Sequence, residues 1–178
     1  MFSLSCIEKG ANRVITVEAQ PVIFNLGLLN NVSGYPAIEP LNYAVYDKDG
    51  EMVHILNAHV GSMVGGNEGE LVETITLATL LNECNINDNN TVLKLDCEGS
   101  EFNILLTSSV EVLRRFAVIT MEVHGNTNPN PEYRDLALIE KRMIECGFIK
   151  VKYGQMYYES SVQPRILVNV FTEKWVRI

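Results

Sequence analysis

The sequence lacks any run of lysine or arginine, and its 14 basic residues are outnumbered by 22 acidic ones among 178. A formal net charge of −8 leaves no basic footprint for a phosphate backbone or an anionic bilayer, so neither nucleic acid nor a membrane is expected as a partner. No stretch approaches the roughly 18 consecutive apolar residues that a membrane span needs. No basic flank followed by a long apolar region marks the N-terminus as a secretion signal. The four cysteines, Cys6, Cys84, Cys97 and Cys146, are scattered and form no CxxC pair. A zinc ribbon or a disulfide scaffold is therefore not expected, and reduced thiols in a cytoplasmic protein are. Internal repeats and linkers are also missing. With 47% hydrophobic residues the chain can bury a real core, and the simplest account is one domain over residues 1–178.

Present instead is an alternation of β-branched runs with helical patterns. Phe2–Gly10 reads as a short helix ended by glycine, and Arg13–Glu18 as a strand stopped before Pro21. Pro21 fits the first turn of a helix through Asn31. Residues 41–50 read as one strand with a turn at Asp49-Gly50. Residues 51–58 and 70–76 read as two more strands around a glycine-rich hairpin loop. A short helix follows over 77–84. Val92–Asp96 is a strand, Ser100–Leu106 a helix, and Ser108-Ser109-Val110-Glu111 fits a capping box for a second helix through Arg115. Residues 116–123 form a strand. Asn130 and Pro131 are expected to start a long amphipathic helix to Cys146, stopped by Gly147. Residues 148–153 and 165–175 close the chain as an antiparallel pair. The strands at 13–18, 92–96 and 116–123 are apolar on both faces, as in a parallel sheet covered by helices.

In an open α/β sheet, ligands bind beyond the carboxyl ends of the strands. Four strand ends here carry polar groups: Glu18, Tyr46-Asp47, Asp96 with Glu98, and Glu122 with His124. Parallel strands would turn all four toward one crevice. Glu18 has the place of the carboxylate that accepts hydrogen bonds from ribose hydroxyls, about 20 residues after a glycine-rich turn. Counting back from Glu18 reaches the start of the sequence.

Several segments resemble the FkbM-type methyltransferases, which use S-adenosylmethionine. "VLKLDCEGSEFNIL" is similar to that family's fourth-strand signature, and "VITMEVHG" to its fifth strand ending in Glu-x-His. "VITVEAQP" is similar to its second strand, with Ala19 in place of a proline. "LNYAVYDKDGEM" and "ETITLATLL" are similar to its third strand and to the segment leading into the fourth. The resemblance implies a Rossmann-like α/β methyltransferase fold: a mostly parallel sheet with a C-terminal antiparallel hairpin. Members usually open with a strand and a glycine-rich turn, and here Met1 falls where that turn ends. The fold is therefore expected without its usual first strand. Either the strands at 13–18 and 92–96 would then meet directly, or a homodimer would cover the exposed edge.

The resemblance implies methyl transfer from S-adenosylmethionine to a hydroxyl of a small molecule, a sugar or a secondary metabolite. His124 is the expected base, because its unperturbed pKa lies near 6.5. Asp96 is placed to orient the acceptor or the amino group of the cofactor. The expected cofactor contacts are Glu18, Tyr46, Asp47, Asp96 and Glu98. Glu98 and Glu101 also sit where a helix start favours negative charge, and for Glu101 a role confined to its helix is one of two open readings. His54 and His59 read as surface residues. The loops 61–69 and 125–131 have the position of acceptor-selecting lids. Two further readings stay open. One is a degenerate fold without cofactor binding, acting as a binding or assembly module. The other is a divalent-metal enzyme using Asp96, Glu98, Glu122 and His124.

Overall fold

A computed structural model describes residues 2–55, 68–86, 90–124, 130–159 and 167–178. Helix α1 (Phe2–Glu8) leads to strand β1 (Val14–Val17). Gly10, at φ 95°, supplies the left-handed turn that ends the helix. A π-helical turn, Ile23–Leu28, then runs into α2 (Leu29–Val32). The helix expected after Pro21 is present, but its middle is wound more loosely than an α-helix. Asn25, Asn30 and Asn31 each donate a side-chain hydrogen bond to the carbonyl four residues back, and so compete with the helical ladder.

Residues 41–50 are not one strand. β2 (Ile38–Leu41) pairs in parallel with β1, whereas β3 (Ala44–Tyr46) pairs in parallel with β5 (Glu70–Thr76). Asn42 makes the break, donating its side-chain amide to the carbonyl of Glu18 at 2.7 Å. β4 (Met52–Ile55) lies antiparallel to β5. Asp49, in the turn before β4, accepts from the Thr76 amide at 2.6 Å and from the Thr79 hydroxyl at 2.9 Å. It thereby ties this turn to the start of α3 (Leu77–Glu83).

The third sheet has the order β6-β7-β9-β8. β6 (Thr91–Asp96) is parallel to β7 (Phe116–His124), and β9 (Leu167–Arg177) is antiparallel to both β7 and β8 (Phe148–Glu159). The C-terminal hairpin is as expected, with β8 running on to Glu159. Of the six strand pairings among the described residues, three are parallel and three antiparallel, so the sheets are mixed. β1 and β6 lie in separate sheets. α1 reaches both: the Ser3 hydroxyl donates to that of Thr16 at 3.3 Å, and the Lys94 ammonium lies 5.7 Å from the centre of the Phe2 ring.

α4 (Glu101–Thr107), α5 (Val110–Leu113) and α6 (Leu136–Glu145) pack with this sheet. Phe102, Ile104, Leu105, Leu113, Ile119 and Met143 are all fully buried. Each such side chain contributes about 1.5–3 kcal/mol of hydrophobic stabilisation. Two helix starts differ from expectation. Ser109, not Ser108, caps α5, accepting from the Val112 amide at 3.3 Å; the Ser108 hydroxyl donates to the Ile104 carbonyl instead. Asn130 and Pro131 open only a single 3-10 turn, Pro131–Arg134, and α6 starts afresh with Asp135 as its cap. No described helix is long and apolar enough to cross a membrane.

Candidate active site

β6 and β7 run side by side, with Asp96 paired to Glu122 in register. Residues two apart on a strand share a face, so Lys94 and Asp96 on one strand adjoin Glu122 and His124 on the other. Lys94 is the local cation: its ammonium lies 2.8 Å from Asp96 Oδ2 and 3.9 Å from Glu122 Oε1. Beyond Asp96 the chain turns sharply. Glu98 and Gly99 are both left-handed, at φ 51° and 109°, and the turn folds Glu98 back over the end of β7.

His124 ends up between two carboxylates. Its Nδ1 is 3.1 Å from Glu101 Oε1, and its Nε2 is 3.3 Å from Glu98 Oε2. Glu101 is 0% exposed and His124 2%. Glu101 Oε1 also accepts from the Cys97 amide at 2.7 Å, and Oε2 accepts from the Gly99 amide at 2.9 Å. The two amides lie just ahead of α4, so one side chain both satisfies the turn and anchors the imidazole. Burial pulls the His124 pKa down, but the hydrogen bond to Glu101 and the charges of Glu101, Glu98 and Asp96 outweigh it, leaving the pKa above 6.5. Asp96, Glu98 and His124 offer three ligand atoms within 4.8 Å of one another. Glu122 stands outside that set, facing Lys94, so the fourth ligand expected for a metal is not gathered with the others.

The FkbM methyltransferase domain matches residues 2–150, most of the chain. The chain belongs to the FkbM methyltransferase domain family. No curated protein matches it. Among solved structures, a candidate RNA methyltransferase from Pyrococcus horikoshii is similar, with 14% identity and a TM-score of 0.49. The similarity covers 97% of this chain and 66% of that one, so the chain spans just under two thirds of that protein's length.

The other expected site residues of the FkbM domain lie at the ends of β1 and β3. Asp47 follows β3, and its Oδ2 accepts from the Asn103 side-chain amide of α4 at 3.4 Å, which brings the third strand end against the start of α4. Tyr46 is half-buried; burial, then the neighbouring Asp47, Tyr133 and Glu51, push its phenol pKa up. Glu18 follows β1 in a different sheet from His124. Its Oε1 accepts from the Gln20 amide at 2.8 Å, and burial pushes its pKa up against the backbone bonds that lower it. Ala19, the next residue, packs against the small cluster of Ala44, Ile55 and Val72, so the end of β1 lies against the sheet that contains β3. Asp96, Glu98 and His124 thus form one cluster, Asp47 touches its helix, and Glu18 stands apart at the end of the neighbouring sheet. Glu101 belongs to the cluster as well: its burial and its bond to His124 decide against the reading of it as a mere helix-start charge. The loop 61–69, apart from Glu68 and Gly69, lies outside the described residues, as do His59 and residues 125–129.

Proposed function

We propose that this FkbM domain is an S-adenosylmethionine-dependent methyltransferase acting on a hydroxyl of a small molecule, such as a sugar or a secondary metabolite. The observation that carries this reading is the buried His124, held by Glu101 and facing Glu98 and Asp96 at the carboxyl ends of β6 and β7. The residues present fit the cofactor chemically. A half-buried carboxylate at Glu18 suits ribose hydroxyls, and Asp96 and Glu98 suit an ammonium group. Tyr46 and Asp47 would flank the adenine. The grouped carboxylates of Asp96 and Glu98 favour a cationic donor. When bound, S-adenosylmethionine supplies a methyl group on a sulfonium centre. The chain's own part is then to align the acceptor hydroxyl and to remove its proton. His124 takes that proton at Nε2 while Asp96 orients the acceptor or the amino group of the donor.

Calorimetric titration with S-adenosylhomocysteine tests the reading. Saturable binding by the wild-type chain, lost in Glu18→Ala and kept in His124→Gln, is expected. Absence of binding would overturn it and favour a fold that serves as a binding or assembly module.

One observation favours a second reading, a divalent-metal centre: the three ligand atoms of Asp96, Glu98 and His124 lie within 4.8 Å of one another. Mixed oxygen and imidazole ligands suit Mg²⁺ or Mn²⁺. Titration with Mn²⁺, followed by electron paramagnetic resonance, separates the two. This reading requires one bound ion that is lost in Asp96→Asn and retained in Glu122→Gln, whereas the methyltransferase reading does not.

A further inference from the structure

We propose that Glu101 is the positioning residue of His124: it keeps a proton on Nδ1, so that Nε2, beside Glu98, is the ring atom that loses and regains a proton. Its consequence for turnover rests on the reading of His124 as the base. The role itself can be tested without any methyl donor.

The two carboxylates that flank the imidazole are not equivalent. Glu101 is 0% exposed, and both of its oxygens are committed, Oε1 to the Cys97 amide and His124 Nδ1, Oε2 to the Gly99 amide. Moving it would strip two backbone donors of their partner in the interior, where an unmet hydrogen bond costs the full desolvation of the group. It also stands on the first residue of α4, whose next four residues are buried. Glu98 meets Nε2 at 3.3 Å from a turn, with its side chain 21% exposed, so water can take its place. A carboxylate only accepts, so the nitrogen facing Glu101 has to donate in the neutral ring as well as in the charged one. The proton lost from the imidazolium is therefore the one on Nε2. Free imidazole side chains in water prefer the opposite tautomer, which makes the outcome diagnostic.

Among the described residues, the charged groups around the ring come from three elements. Glu101 approaches from α4, Glu98 from the turn and Asp96 from the end of β6. Lys94 lies on Asp96 at 2.8 Å and so offsets that charge more than the other two. All three carboxylates favour the imidazolium, but only Glu101 also selects between the two nitrogens.

Nitrogen-15 correlation spectra of the imidazole, recorded across a pH titration, decide the matter, with the His124 signals assigned by their loss in His124→Gln. The neutral ring of the wild-type chain is expected to show a protonated Nδ1 and a bare Nε2. In Glu101→Gln the Nδ1 preference of the neutral ring is lost. In Glu98→Gln the Nδ1 proton stays. A neutral wild-type ring protonated on Nε2 would overturn the proposal, and so would a Glu101→Gln chain whose tautomer is unchanged. Should Glu101→Gln fail to fold, the wild-type spectrum and Glu98→Gln still decide. A failed S-adenosylhomocysteine titration would end the methyltransferase reading and leave this result standing.

Discussion

Glu98, whose Oε2 lies 3.3 Å from His124 Nε2, sits in the left-handed region, at φ 51°. A residue with a β-carbon loses roughly 1–2 kcal/mol there. Strain of this kind persists where the surroundings over-determine it, and it gathers at functional sites. The next residue, Gly99, at φ 109°, meets no such penalty. The turn thus concentrates its strain in Glu98, whose carboxylate faces Nε2 of the histidine.

That relationship predicts an inverted order of stability at position 98. Glu98→Ala and Glu98→Gly both delete the carboxylate, but only alanine keeps the steric cost. Urea denaturation should find the glycine variant more stable than the alanine variant by about 1 kcal/mol, the reverse of the order in a helix interior. Equal stabilities, or a more stable alanine variant, would mean that the turn relaxes out of the left-handed region.

The histidine predicts a pH dependence of stability. The folded pKa of His124 is raised above 6.5, so the folded state holds the proton more tightly than the unfolded chain. The resulting stabilisation is fully present below about pH 6.5 and is lost as pH rises through the folded value. Denaturation midpoints of wild type and His124→Gln, compared from about pH 5 to about pH 9, should therefore converge toward the alkaline end. A difference that grows with pH would contradict the sign.

Asp49 predicts a coupling between the β3–β4 turn and α3. It accepts from the Thr76 amide and from the hydroxyls of Thr76 and Thr79, as a helix cap does from a distance. Asp49→Ala should cost on the order of 1 kcal/mol in chemical denaturation. These bonds hold its pKa below the usual carboxylate value against the burial that raises it, so its contribution disappears in acid, as pH falls through the lowered folded value.

The two N-caps around residue 130 predict unequal effects. Asp135 accepts from the Ala137 amide at 2.9 Å and starts the ten residues of α6, whereas Asn130 accepts from the Glu132 amide at 3.1 Å and starts one 3-10 turn. Asp135→Ala should lower stability by about 1 kcal/mol, and Asn130→Ala by less. A larger effect at Asn130 would mean that the helix starts there in solution.

These elements also explain what the sequence could and could not disclose. The strand–turn–helix over residues 91–107 was legible because its apolar run, its glycine and its carboxylates each have one local meaning. The start of α6 was misplaced because two good capping signals stand five residues apart, and Asn130-Pro131 is the stronger pattern; the φ, ψ of −95°, 23° at Tyr133 breaks the helix between them. Residues 41–50 read as one strand because an apolar run does not name its partner; Asn42, bonded across to Glu18, separates Leu41, which pairs with β1, from Ala44–Tyr46, which pair with β5. The role of Glu101 was hidden for a simpler reason. A glutamate in the first turn of a helix is favoured by the dipole wherever it points, and only the fold brings His124, 23 residues later, against it.

The central claim is that the ends of β1, β3, β6 and β7 bind one methyl donor. Backbone amide spectra of the labelled chain, recorded while S-adenosylhomocysteine is added, test it most directly. The account predicts saturable shifts at Glu18–Gln20, Tyr46–Asp47 and Asp96–Gly99, with the far ends of the same strands unmoved. Saturable shifts confined to another surface, or no shifts at any concentration, would contradict it.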